Sequence, residues 1–163
     1  MRKDELSRLR QLRELRKEKA LEKVAARQAA LTRAEHVLAM AQSALMAHLE
    51  ETRQQEASGL SDMMGKTLSH AEISTFRSEL MLIIEKLEAF ILDEQMAGEV
   101  REMAKTELKA ATAVFRDYHR SAEKLDYVIG EEGRKLRKKA LALSESIDDE
   151  LQSRHRGSGR GGL

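Results

Sequence analysis

Apolar residues recur with a heptad period through the second half of the chain, and this feature constrains the fold more than any other. Steps of alternately three and four residues from Ile73 to Glu150 visit 23 positions, and 17 of them are apolar. A helix with such a stripe buries it against another helix in a coiled coil. The sequence therefore predicts one long coiled-coil helix here.

The composition favours long helices over a globular core. The 163 residues contain no proline, cysteine or tryptophan, and aromatic residues make up only 3%. Proline disrupts helices, whereas the abundant Leu, Ala, Glu, Lys and Arg are typical of long ones. The predicted fold class is all-α, and the absence of cysteine excludes disulfides and thiolate metal sites.

A shorter heptad row lies in the N-terminal third. Val24, Leu31, Leu38 and Leu45 lie seven residues apart, and an alanine lies four residues before three of them. Small side chains beside large ones allow two helices to approach closely. A first helix is predicted over residues 2–57.

The segment ASGLSDMMGKTLSHAE interrupts the helical pattern. It contains Gly59 and Gly65, and each glycine weakens a helix interior by about 1 kcal/mol relative to alanine. A turn is predicted over 58–70. Two long helices joined by one short turn fold back on each other, so the chain is predicted to form an antiparallel coiled-coil hairpin within residues 1–153.

The start and end of the second helix carry their own signals. Ser69 and Glu72 have the spacing of a capping box, which marks a helix start. The second helix is predicted over 71–153. The glycine-rich and basic RHRGSGRGGL, residues 154–163, is predicted to be a disordered tail.

The hairpin also predicts a register between the helices. Leu45 is expected to face Ile83, Leu38 to face Phe90, Leu31 to face Ala97 and Val24 to face Ala104, although a shift of one heptad would match equally well. Glu94 and Arg101 interrupt the apolar stripe, and a shifted stripe is offered by Met96, Val100 and Met103. A local stutter is therefore predicted at this point.

Leucines near the N-terminus recur every third residue, which is not the period of a buried helix face. Each three-residue step turns an ideal helix by about −60°, so the row winds away from the seam that Leu6 faces until Leu15 points outward. Either a stutter buries these leucines, or they dock another protein. The candidate docking residues are Arg8, Leu9, Arg10, Leu12, Arg13, Leu15 and Arg16.

Charge is unevenly distributed along the chain. Residues 2–23 carry nine basic and five acidic groups, a net charge of +4, and residues 134–160 carry eight and four, again +4. Residues 50–107 carry six basic and thirteen acidic groups, a net charge of −7. An antiparallel hairpin is expected to bring both basic stretches to one end, which suits a protein with two different partners.

Signatures of catalysis are missing from the sequence. The five histidines form no metal-binding pair, and the glycines of GSGRGG follow no strand and precede no helix, as a phosphate loop would require. We therefore expect no enzyme activity, cofactor, metal or small-molecule substrate. Without a signal peptide or an apolar span, the protein is expected in the cytoplasm and not inserted in a membrane.

The segment LRQLRELRKEKALEKVAARQAALTRAE, residues 9–35, resembles the start of YscO proteins of bacterial type III secretion systems. Over residues 1–150 the chain is similar to YscO and its flagellar counterpart FliJ in length, lack of proline, mid-chain break and two-helix layout. The resemblance implies a central stalk that docks in the hexameric export ATPase. It also implies contacts with the export gate and with type III secretion chaperones, at the cytosolic face of the apparatus.

The resemblance extends to a candidate gate contact. In FliJ this contact is ascribed to apolar residues early in the second helix, and the corresponding stretch here is ISTFRSELMLIIEKL. The nearest matches are Phe76, Leu80, Ile83 and Ile84. The first three lie on the predicted seam, so Ile84 is the best exposed candidate.

Two other functions remain open. A free cytosolic escort or coiled-coil adaptor is predicted to hold clients at its apolar turn, through Leu60, Met63, Met64 and Leu68. A nucleic-acid-associated coiled coil would use the basic stretches for phosphate contacts. The chain lacks an aromatic stacking platform and carries a net charge of only +1, so nucleic acid is the less favoured partner.

Overall fold

The computed structural model describes residues 2–158, and these form two α-helices and no strand. Helix α1 spans Arg2–Met63 and helix α2 spans His70–Ser158. The two long helices pack against each other as a helical hairpin, which confirms the predicted all-α fold class.

The ends of the helices differ from the prediction at two places. Helix α1 ends at Met63 instead of residue 57, and the connection shrinks from the predicted 58–70 to residues 64–69. Helix α2 continues to Ser158, so the first part of the predicted disordered tail, 154–158, is helical. The rest of that tail, 159–163, lies outside the described residues.

The connection is built by the glycine and the capping box that the sequence contains. Gly65 adopts a φ of 77°, a left-handed conformation that glycine enters without steric cost. The backbone N–H of Glu72 donates to Ser69 Oγ at 3.2 Å, and the backbone N–H of Ser69 donates to Glu72 Oε2 at 3.0 Å. This reciprocal pair confirms the predicted start of the second helix.

Helix α1 continues through Gly59, and the missing side chain there makes room for an aromatic ring. A Cβ at Gly59 would lie 3.2 Å from Cε2 of Phe76, closer than an ordinary van der Waals contact. The ring of Phe76 on α2 therefore packs directly against the backbone of α1. The sequence pattern predicted Gly59 to lie in the turn, whereas in the structure Gly59 lies within α1 and allows α2 to pack closely.

The chain divides into two compact units, each containing parts of both helices. The central unit is Leu21–Ala113, and the terminal unit combines Met1–Ala20 with Val114–Leu163. In the central unit, Leu31, Ala34 and Ala104 form a buried cluster that Leu108 packs against. Within residues 2–158, five of the seven buried apolar residues are alanines, so the helices approach closely over a thin core.

The observed register lies one heptad from the predicted one. Leu31 clusters with Ala104 instead of Ala97. The ring centroids of His48 and Phe90 lie 4.7 Å apart, although Leu38 was expected opposite Phe90. The shift accompanies the longer α1, because the connection over residues 64–69 is centred later in the chain than the predicted 58–70. Each α1 residue therefore meets a later residue of α2.

The predicted stutter is absent. Glu94 and Arg101 stay half-buried in the seam, and the residues of the alternative stripe, Met96, Val100 and Met103, are exposed. Arg101 is tolerated there because its guanidinium reaches Glu35 on α1 at 4.0 Å and Glu102 at 3.6 Å. The long side chain packs its aliphatic part in the seam and keeps its charged end near water.

In the terminal unit the packed part of α2 ends near Gly133. The buried apolar residues of this unit include Ala122 and Leu125 of α2 and Ala20 of α1. Every residue from 134 to 157 is exposed. Leu136 still lines a groove with Lys3 and Leu6 of α1, and the helix beyond it has no packing partner among residues 2–158. Within the same described range, neither helix has a stretch long and apolar enough to cross a membrane.

Candidate docking surface

The N-terminal leucines wind out of the seam in the terminal unit. Leu6 is half-buried, and the exposed fraction then rises from 37% at Leu9 to 43% at Leu12 and 48% at Leu15. This progression is the one expected for a three-residue step on a straight helix. A stutter that buries these leucines is not observed, so the outward placement predicted from the heptad is confirmed.

The arginines beside the leucines fall into two groups. Arg13 is half-buried, and its Nη1 donates a hydrogen bond to the carbonyl oxygen of Ser121 at 2.7 Å. Arg10 pairs with Asp126, with Nε to Oδ1 at 3.1 Å. Both side chains thus join α1 to α2, a structural role that the sequence pattern did not reveal.

Two other arginines remain on the outer surface. Arg8 and Arg16 are exposed, and within residues 2–158 neither forms an ion pair with an acidic side chain. On an ideal helix they lie with Leu12 and Leu15 inside an arc of about 100°. We call these four residues the outer ladder. Lys19 falls in the same arc and is exposed.

The outer ladder combines two apolar side chains with cationic groups at its edges. Such an arrangement suits a partner that offers an apolar pocket bordered by acidic residues. The prediction from the sequence followed the row of leucines and therefore did not include Lys19. Lys19 lies 11 residues after Arg8, which is three helical turns, so this spacing could have identified it.

The candidate gate residues lie in the central unit and differ in accessibility. Phe76, Leu80 and Ile83 are half-buried, whereas 53% of Ile84 is exposed. The seam therefore holds the first three, as their heptad positions indicated. Met81 and Leu82 are exposed next to them and were not among the predicted residues.

The four apolar residues predicted at the turn also differ in exposure. Met64 is 82% exposed and Leu60 is 58% exposed. Met63 and Leu68 are half-buried and line a shallow groove with Phe76 at the end of the hairpin. The connection thus presents two accessible apolar side chains of the four predicted.

The histidines do not assemble into a site. His48 stacks at a tilt against Phe90, and His119 lies 3.1 Å from Glu123 on the same helix. Among residues 2–158 no group of three His, Asp or Glu side chains is arranged to hold a metal ion. His48 therefore takes part in helix packing, and His119 contacts a carboxylate of its own helix.

We compared the chain with protein-family models, with curated proteins and with solved structures, and none of them matched it.

Proposed function

We propose that this protein is a non-enzymatic stalk of a bacterial type III secretion system. In this proposal it docks into the hexameric export ATPase and links the ATPase to the export gate and to secretion chaperones. It works in the cytoplasm, at the cytosolic face of the apparatus. The choice of the export ATPase as partner rests on the resemblance of residues 9–35 to YscO proteins. The exposed leucines and arginines near the N-terminus support it as a surface suited to docking.

The single observation that carries the proposal is the exposure of the N-terminal leucines. A leucine on the outside of a two-helix hairpin contributes little to folding, yet Leu9, Leu12 and Leu15 follow one another on the outer side of α1. Burying one leucine at an interface contributes roughly 1.5–3 kcal/mol. The row therefore offers binding energy that the hairpin itself does not use.

The cationic edge of this surface supports the same proposal. Arg10 and Arg13 are held by α2, which leaves Arg8, Arg16 and Lys19 to meet the partner. Exposed cations steer association with an acidic surface and make it dependent on salt. The ATPase-docking site is thus narrowed to the outer ladder with Leu9 and Lys19.

A gate contact is proposed for the central unit. Ile84 is the exposed member of the four candidate residues, and Met81 and Leu82 beside it add apolar surface. Phe76, Leu80 and Ile83 support this contact indirectly, by holding α2 against α1. An Ile84→Asp variant is expected to lose gate binding while the hairpin remains folded.

The proposal is tested with the purified protein and the cognate export ATPase. The protein is expected to hydrolyse no ATP by itself and to raise the rate of hydrolysis by the ATPase. Absence of any binding to the ATPase at low salt would contradict the docking proposal.

A second candidate function is a free escort that holds client proteins at the connection. The exposure of Met64 and Leu60 favours it, because flexible methionine side chains adapt to varied partners. A Leu60→Ser and Met64→Ser double variant separates the two functions. It is expected to lose chaperone or client binding if the escort function is correct, and to stimulate the ATPase normally if the stalk function is correct.

A further inference from the structure

The C-terminal end of α2 carries an apolar stripe that the described residues 2–158 leave largely uncovered. Ala140, Leu143, Ile147 and Leu151 follow Leu136 at steps of four, three, four and four residues, so all five lie on one side of the helix. All are exposed, as is every residue from 134 to 157. Leu136, which is 46% exposed, also lines a groove with Lys3 and Leu6 of α1. We call these five residues the C-terminal stripe. A helix this long with an uncovered apolar side is built to meet another helix.

The charges around the stripe indicate which helix it meets. The first part of the segment, residues 134–139, contains five basic side chains and no acidic one. The later part, residues 145–150, contains four acidic side chains and no basic one. The two blocks are separated along one helix and are too far apart to neutralise each other within it.

A second copy of the same helix in antiparallel orientation removes this imbalance. We propose that two copies of this chain associate through their C-terminal stripes, antiparallel and related by a two-fold axis near residues 143 and 144. The register that sets Leu136 opposite Leu151 sets Ala140 opposite Ile147. It also places the basic block of each copy beside the acidic block of the other.

Both side-chain packing and charge favour the antiparallel orientation of the two C-terminal helices. Alanine opposite isoleucine lets the helices pack closely without a void. A parallel pair would place basic block against basic block, which is repulsive. The stripe extends over 16 residues, from Leu136 to Leu151, and covers about 22 Å of helix. The interface is therefore small, and the dimer is expected to dissociate in roughly the micromolar range. This inference is independent of the proposed secretion partners.

The test is the mass of the full chain by sedimentation equilibrium over a concentration series, with two matched variants. Leu143 and Leu141 are 63% and 64% exposed, but only Leu143 lies on the stripe. Leu143→Asp is expected to leave the protein monomeric, and Leu141→Asp is expected to dimerise like the unmodified chain. A chain that stays monomeric at its highest attainable concentration overturns the proposal, and so does equal behaviour of the two variants.

Charge reversal tests the orientation. Changing Arg137, Lys138 and Lys139 to Glu is expected to raise the dissociation constant about tenfold or more. Adding Asp148→Lys, Asp149→Lys and Glu150→Lys to the same chain is expected to restore dimerisation, because the blocks are complementary again. Failure of this rescue overturns the antiparallel pairing. A different result is that the variant with Arg137, Lys138 and Lys139 changed to Glu loses binding to phosphatidylserine vesicles while its mass in solution stays that of the unmodified protein. That result would overturn the dimer and assign the basic block to a lipid surface.

Discussion

Arg13 of α1 donates a hydrogen bond from Nη1 to the carbonyl oxygen of Ser121 of α2, at 2.7 Å. The two residues are 108 positions apart in sequence, so this bond joins the beginning of one helix to the middle of the other. Arg16 lies one helical turn away and is fully outside this contact. Two arginines that each follow a leucine therefore have different roles, one in folding and one at the surface.

Replacing these arginines separately is expected to separate stability from docking. Arg13→Gln should lower the free energy of unfolding by about 1 kcal/mol, because a partly buried hydrogen bond from a charged group is lost. For a chain of this length that corresponds to a fall in Tm of about 2–4 °C. Arg16→Gln should leave the Tm unchanged. Thermal unfolding followed by circular dichroism measures both, and equal Tm values for the two variants would contradict the assignment.

Replacing the leucines of the outer ladder is expected to weaken docking without lowering stability. Leu12→Ala with Leu15→Ala should change the free energy of unfolding by less than about 0.5 kcal/mol per site, because both side chains are exposed and alanine favours the helix. The double variant should nevertheless bind the export ATPase at least tenfold more weakly, as measured by titration calorimetry.

Two control variants make the leucine prediction specific. Leu31→Ala removes a buried side chain and should cost about 2–3 kcal/mol of stability. Leu92→Ala removes an exposed leucine of the central unit and should alter neither stability nor ATPase binding. If the Leu12 and Leu15 double variant is destabilised as much as Leu31→Ala, the leucines serve the core and not docking.

The register predicts which cysteine pairs can be cross-linked. The chain contains no cysteine of its own, so introduced pairs report without background. His48→Cys with Phe90→Cys should be joined within one chain by a short thiol-reactive cross-linker, because the two rings lie 4.7 Å apart. Leu38→Cys with Phe90→Cys should not, since Leu38 lies ten residues, about 15 Å, from His48 along α1. Faster migration on denaturing gels identifies the linked chain, and the reverse pattern would restore the sequence-based register.

Glycine replacements test whether the ring of Phe76 constrains Gly59. A methyl group added at Gly98 would have no neighbouring atom within 4 Å, so Gly98→Ala should stabilise the protein by about 1 kcal/mol. Gly59→Ala should gain less, because the new methyl group approaches the ring of Phe76 to 3.2 Å. In a Phe76→Leu background the Gly59→Ala gain should recover. Urea unfolding compares the variants, and an equal gain at both glycines in the unmodified chain would show that Phe76 does not constrain Gly59.

The local sequence pattern by itself determined the helices, the buried positions along them and the start of α2. The heptad rows predicted two helices and the buried positions Leu31 and Leu125, because burial along a helix follows a fixed angular period. The capping box of Ser69 and Glu72 predicted the start of α2, because both of its hydrogen bonds are made within four residues. The outward position of Leu12 and Leu15 followed from the same angular argument.

Contacts between distant residues were decided only by the tertiary structure. A heptad seam looks the same after a shift of seven residues, so periodicity alone could not choose between Ala97 and Ala104 as the partner of Leu31. The choice depends on where α1 ends and α2 begins, and across that turn the ring of Phe76 packs against Gly59. The different roles of Arg13 and Arg16 arise in the same way, because only the packed α2 brings the carbonyl of Ser121 within reach of one of them.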